Sequence, residues 1–346
     1  MGAAAVQFGP QAISLATVLH TQLGVPVGKV ATLFDQTFHL AVTPGGIIRA
    51  LHRVARRAEP TYQALITAVQ ESSCVVPDET GWRENGAPRW LWVYTTSTTT
   101  VYRITPGRSF ADATCVLPAT YAGALTRDGW IAYREYTQAG HQSCLAHLIR
   151  RCRDVAAVAT PAAARFPLRI QALLEEGLAL RDRYRHDEIS LHGLWTATGR
   201  LEVKLDHVLA RTYHDAANRR LAKHLDHERP YLFTFLYCPG LDATNNAAER
   251  AIRALIGARK NWGGNRTQNG AHAQAVLTTL LQTAKQQGKN PFDVMVELLC
   301  RREPRTILDL VPSTRETRAD SSPGPPLVVV PDRFHAPSLV DLAASA

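Results

Sequence analysis

The chain has 346 residues, 45% of them apolar and 20% charged, which excludes a disordered polymer and allows a sizeable buried core in two or more structural units. Its 39 lysines and arginines against 30 acids give a net charge of +9, which favours a polyanionic partner, nucleic acid before an anionic membrane surface. No uncharged apolar run of about 18 residues occurs, and the start, MGAAAVQFGP, has no basic region ahead of a long apolar one, so neither a membrane span nor an export signal is expected.

Residues 11–57 have helical periodicity. Val30, Leu33 and Phe34 share a face, and Thr43-Pro44 opens a second helix, GGIIRALHRVARR, with Ile47, Leu51 and Val54 aligned. Two helices with a tight link and a basic second member fit a helix-turn-helix-like DNA-binding segment over 1–60, or an ordinary helical hairpin. Residues 73–105 change period: SSCVVPDETGWR, PRWLWVYTT and TTVYRI are rich in Val, Trp, Tyr and Thr, with Asn85-Gly86 as a hairpin turn. They predict a three-stranded antiparallel meander, with Trp82, Trp90 and Trp92 in the strand core. A short helix near 109–116, a strand ending at Asp128 and a basic helix, LAHLIRRCRDV, follow.

Residues 160–237 are helical throughout, and another helix begins near 246. After the loop GGNRTQNG come helices over about 270–287 and to about 301, separated by Gly288 and Pro291. Beyond 303 the chain is Pro-rich and aperiodic, as expected of a disordered tail. The six cysteines form no CxxC pair, and in a reducing cytoplasm their thiols are expected to be free. Cys144-x-x-His147 has ligand types without a matching second half, so both residues are taken as structural.

Three acids stand out. Asp78 shares strand parity with Cys74 and Val76, and Asp128 follows Ala124 and Thr126 in the same way. Glu249 has two explanations. With Asn246 it fits a capping box, and with Arg253 an i,i+4 pair. It also sits at the rim of the apolar stripe Ala248, Ile252, Leu255 and Ile256, where a helix would hold a catalytic carboxylate. Two aspartates from neighbouring strands and a glutamate from a packing helix suit Mg2+ or Mn2+, which take hard oxygen ligands. The surrounding Arg150, Arg151, Arg250, Arg253, Arg259, Lys260 and Arg266 would hold a phosphate backbone.

The stretches PDETGWRENGAPRWLWVYTT, RDGWIAY, CLAHLIRR and NNAAERAIRALIGARKNWGGNRTQNGA, in that order, resemble the DDE transposases of insertion-sequence family 66. The likeness covers roughly residues 8–300, a central catalytic region and C-terminal segment without the zinc-binding region that family members often carry upstream. It implies an α/β, RNase H-like mixed sheet with flanking helices, and Asp78, Asp128 and Glu249 as catalytic triad and metal ligands. The implied division is a catalytic domain in two parts, 61–159 and 240–302, a helical insertion over 160–239, and a tail over 303–346. The implied reaction is cleavage at transposon ends and transfer of the 3′-hydroxyl into target DNA. Double-stranded DNA, a homo-oligomer on that DNA, small accessory proteins and a nucleoid-associated cytoplasmic location go with it, and no membrane. A DNA-binding regulator or inactive remnant, or a nuclease that cuts without joining, remain the alternatives. Two departures stand out: Pro77 removes a ladder N–H from an expected central strand, and Leu145 replaces a usual aromatic.

Overall fold

The computed structural model describes residues 8–238, 240–301 and 306–312. Helix α1 (Pro10–Thr17) passes through a π turn (Val18–Gln22) to α2 (Val27–Phe38) and α3 (Pro44–Gln70). Thr43 caps α3, its hydroxyl accepting from Gly46 N at 3.0 Å, with Pro44 in the first turn, where its missing N–H costs nothing. The structure differs here from the expected division, because α3 runs unbroken through residue 60. Its apolar face, from Ile47 to Val69, belongs to the same core as the sheet, so the N-terminal helices are part of the main body.

The expected meander is present as β1 (Cys74–Glu84), β2 (Ala87–Thr95) and β3 (Thr100–Thr105). Asn85 and Gly86 turn the first hairpin at φ 49 and 78°, as a two-residue primed turn requires. A one-turn helix α4 (Phe110–Ala113) leads to β4 (Ala124–Arg127) and β5 (Gly140–Ser143). Strand β5 escapes sequence reasoning because GHQS is short, polar and without alternation. The sheet order is β3-β2-β1-β4-β5, with the first three antiparallel and β4 and β5 parallel to β1. This mixed open sheet, flanked by helices, is an RNase H-like α/β fold.

Pro77 fits because β1 meets β4 only at Cys74 and Val75. The ladder on that side has ended before Pro77, where an N–H would have no partner. Helix α5 (Leu145–Val158) then leads into the insertion, α6 (Pro161–Arg185), α7 (Leu191–Leu209), α8 (Ala216–Glu228) and α9 (Thr234–Tyr237). These helices share a second core that includes Leu145, Ile170, Leu201, Leu225 and Phe235 and touches the sheet at Ala124.

Helix α10 (Asn246–Trp262) lies on one face of β1 and β2, and α11 (Gln268–Gln286) and α12 (Pro291–Cys300) close the body. The expected tail also needs correction. Ile307 and Leu310 are buried in the main core, and Ile307 N donates to Thr61 Oγ1 at 3.0 Å, so residues 306–312 are anchored. The remainder of that tail, 313–346, lies outside the described residues. Among the described residues no helix is long and apolar enough to cross a membrane.

Candidate active site

Strand register sets the first two acids. Cys74 pairs with Ala124 and Val75 with Leu125 across the parallel β1–β4 contact. Asp78 and Asp128 each stand four residues beyond the first of these pairs, at the same level along adjacent strands, Asp78 within β1 and Asp128 one residue past the end of β4. Asp78 is opposite Val93 in β2, and it shares a face with Val76, Trp82 and Val93. Those apolar residues pack against Ala248, Ala251, Ile252 and Leu255 of α10, so Asp78 faces the helix that carries Glu249.

The start of α10 is held by the strands themselves. Thr126 Oγ1 donates to Asp242 O at 2.6 Å, and Leu145 N donates to Ala243 O at 2.9 Å. Asn245 is buried, donating its N–H to Cys144 Sγ at 3.3 Å and accepting from that thiol at 3.0 Å. Further along, Tyr102 donates to Ala251 O at 2.9 Å. The capping-box explanation of Glu249 is overturned: the N-cap is Asn245, not Asn246, and no side chain caps the helix. The Glu249 carboxylate instead meets His147 Nε2 at 3.6 Å and Arg253 Nη2 at 3.8 Å. His147 Nδ1 lies 3.2 Å from Cys144 Sγ, so the Cys144-x-x-His147 pair is a structural joint with one end on the third acid.

Burial, then the charges of Glu79, Asp128 and Glu249, push the Asp78 carboxyl up to about 7. Asp78 Oδ1 accepts from Glu79 N at 2.9 Å, and Asp128 Oδ1 accepts from Trp130 N at 2.8 Å. Sequence reasoning did not single out Glu79. It points to the opposite face of the sheet, where Tyr133 donates to one oxygen and Arg108 Nε to the other at 2.6 Å. Arg108 stacks on Trp130 at 3.6 Å and on Trp90 at 4.7 Å. The residue after Asp78 is therefore linked, through Arg108, to the turn after Asp128. Trp82 and Trp92 are buried as expected, whereas Trp90 is only half-buried beneath Arg108.

A cleft of about 430 Å³ opens beside Asp128, lined also by His147, Arg150, Arg151, His224 and Glu228. Arg150 and Arg151 are exposed on α5, Arg250, Arg253 and Lys260 on α10, and Arg266 in the following loop. Arg259 is placed differently: its Nη1 is hydrogen-bonded to Gly81 O, which ties α10 to β1. The loop beyond α10 is fixed too. Asn265 accepts from Trp82 Nε1 at 2.8 Å and exchanges backbone bonds with Arg83 and Asn85.

Among the described residues no three His, Cys, Asp or Glu side chains form a closed metal-binding group. The acids offer the hard oxygen donors that a divalent cation takes, and the Asp78 carboxyl is raised by burial first and by neighbouring carboxylates second.

The mixed sheet order and its flanking helices define an α/β fold of the RNase H-like class. The Transposase IS66 family matches residues 5–273, and the chain belongs to that family of DNA-processing enzymes of insertion sequences. It is also 25% identical over 234 residues to the uncharacterized protein y4qI of Sinorhizobium fredii, covering 61% of this chain and 43% of that protein. The chain thus matches less than half the length of this relative.

Proposed function

We propose that this transposase cuts DNA at the ends of its element and joins the freed 3′-hydroxyl to target DNA, with Asp78, Asp128 and Glu249 as the catalytic carboxylates. The observation that supports the proposal is the shared level of Asp78 and Asp128 on adjacent parallel strands, together with the packing of α10, the helix that carries Glu249, on the face that Asp78 shares. These three would hold Mg2+ or Mn2+, which supplies activation of water or a 3′-hydroxyl and stabilisation of the leaving oxygen. The chain's own groups do the rest. Trp130 N orients Asp128, Glu79 N orients Asp78, and His147 and Arg253 restrain Glu249. Arg150, Arg151, Arg250, Arg253, Lys260 and Arg266 bind phosphates and keep the strand in register. Arg259 contributes indirectly by holding α10 on β1. Cutting two ends together needs two such sites, so the working form on DNA is a homo-oligomer.

The test is incubation of the purified protein with its own flanking DNA ends and Mg2+, resolving cut and joined products. Asp78→Asn, Asp128→Asn and Glu249→Gln should each abolish both products and leave DNA binding largely intact. Cleavage without joining would reduce the activity to that of a nuclease. Binding without cleavage by the native chain would make it a regulator. Full activity in any of the three variants would remove that acid from the site.

A further inference from the structure

Helix α8, deep in the insertion, is anchored to β4, the strand that runs into Asp128. Glu228, in its last turn, is 1% exposed. Its Oε2 accepts from Arg127 Nη1 at 2.9 Å and from Ser143 Oγ at 2.5 Å, and Arg134 binds the other oxygen. Arg127 is fully buried, and its Nη1 also donates to Asp128 O at 3.1 Å. Asn218, Leu221, Leu225 and Glu228 make the buried side of α8. With that side pinned, the rotation of the helix about its own axis is fixed.

At about 100° per residue, His224, Arg220, His227 and Lys223 follow one another round the helix from Glu228. His224 comes first and lines the cleft beside Asp128, its Cε1 3.5 Å from the position a Cβ on Gly129 would take. Arg220, Lys223 and His227 are exposed, and none has an ion pair among the described residues. Across the cleft stand Arg150 and Arg151 of α5. The acids lining the cleft are Asp128, Asp154 and Glu228, the last already paired with Arg127 and Arg134, and Asp226 lies on the far side of the α8 stripe. From α5, Arg150 and Arg151 line the cleft; from α8, His224 lines it, and Arg220 and Lys223 continue round the exposed side of that helix from His224.

We propose that α8 and α5 grip the sugar-phosphate backbone of one DNA strand as it leaves Asp128, with Arg220 and Lys223 contacting phosphates. This deepens the proposed function and rests on Asp128 belonging to the cleavage site. The insertion is then a half of the DNA groove, set against the active acids by the Glu228–Arg127 pair. The contacts are to phosphate, so they are indifferent to sequence and weaken with salt.

The experiment uses the full chain and a fluorescent duplex of about 30 base pairs with a single-stranded 3′ flank, titrated in EDTA from about 50 to about 200 mM salt. Native protein is compared with the Arg220→Ala, Lys223→Ala double variant and with Arg200→Ala on α7. Loss of two phosphate contacts should make the slope of log K against log salt shallower by about 1.8 and lower affinity by about ten- to a hundredfold near physiological salt. Arg200→Ala should change neither by a comparable amount. A native slope in the double variant overturns the proposal, as does an equal drop from Arg200→Ala, which would mark a general charge effect. Both replaced side chains are exposed, so melting should be unchanged; should it fall, Arg220→Gln with Lys223→Gln repeats the titration. No cleavage is needed for this readout. A failed slope alongside inactive Asp78→Asn sinks the α8 contact alone, whereas active Asp78→Asn sinks the catalytic assignment and leaves the slope to judge the grip.

Discussion

Replacing Asp78 by Asn should stabilise the metal-free protein at alkaline pH and do progressively less as the pH falls. The folded carboxyl is pushed up to about 7, chiefly by burial and then by the neighbouring carboxylates, against about 3.9 in an unfolded chain. Between those values the unfolded chain has released a proton that the folded chain retains. Stability therefore falls as pH rises through that window, and the full destabilisation is present above the folded value. A gap of about 3 units sets a ceiling of about 4 kcal/mol. Asp78 is half-buried, so solvent screening reduces this, and about 1–2 kcal/mol is the working expectation. Asn keeps an Oδ1 able to accept the Glu79 N–H, so the substitution removes charge and little else.

The assay is thermal melting in EDTA at a series of pH values, read as the variant minus the native Tm. The difference should be near zero at about pH 4, grow up to about pH 7 and then flatten at roughly 1–3 °C. Added Mg2+ should reverse the order above that pH, since native protein gains binding energy that the variant lacks. A difference independent of pH, or an Asn variant that melts lower at alkaline pH, would refute the claim that this carboxylate is held in an unfavourable field.

Three other substitutions probe the scaffold. Glu228→Ala leaves Arg127 buried without its counter-charge and should cost about 3–5 kcal/mol in urea melts; a loss below about 1 kcal/mol would show that the pair is dispensable. Gly264 has φ 114°, and a Cβ there would lie 2.3 Å from Arg83 O, so Gly264→Ala should lower Tm. Gly257→Ala, on a helix with nothing within 4 Å of the new methyl, should raise stability by about 0.5–1 kcal/mol; the opposite signs would overturn the placement of the loop. Ile307→Ala or Leu310→Ala should cost about 2–5 kcal/mol, and ending the chain after Arg301 at least as much, with a chain ending after Pro312 as the control.

The meander, the insertion and the closing helices were legible because each repeats one period over enough residues. Asn85-Gly86 and Thr43-Pro44 gave their local geometry directly, as the turn and cap confirm. Strand β5 was not legible, since four polar residues between a turn and a helix carry no alternation. The anchor at Ile307 and Leu310 was hidden by the Pro-rich composition around it, because two apolar side chains are enough to fill a gap and too few to form a period. Of the site, the strand parity of Asp78 and the position of Asp128 at the end of its strand could be read by counting. Arg127 and Glu228 could not be paired, because 101 residues separate them and neither lies in a local pattern. Arg259 could not be told from its basic neighbours, since only the tertiary packing of α10 turns it onto Gly81 O.

The three acids owe their positions to different kinds of force. Asp78 and Asp128 are set by backbone register, which a side-chain substitution elsewhere hardly alters. Glu249 depends on the packing of α10 and on the joint of Asn245 with Cys144, where a buried thiol serves as both donor and acceptor. Cys144→Ser keeps both hydrogen-bonding functions but shortens the reach, while Cys144→Ala deletes them and leaves the buried Asn245 N–H unpaired at about 1–3 kcal/mol. The Ala variant should therefore loosen the start of α10 and reduce cleavage, with Asp78 and Asp128 still in register. Hydrogen exchange should show the change, as faster exchange in the first turn of α10 with β1 and β4 still protected. Faster exchange in β1 and β4 as well would mean that the helix and the strands are one cooperative unit, and that the third acid is not independently placed.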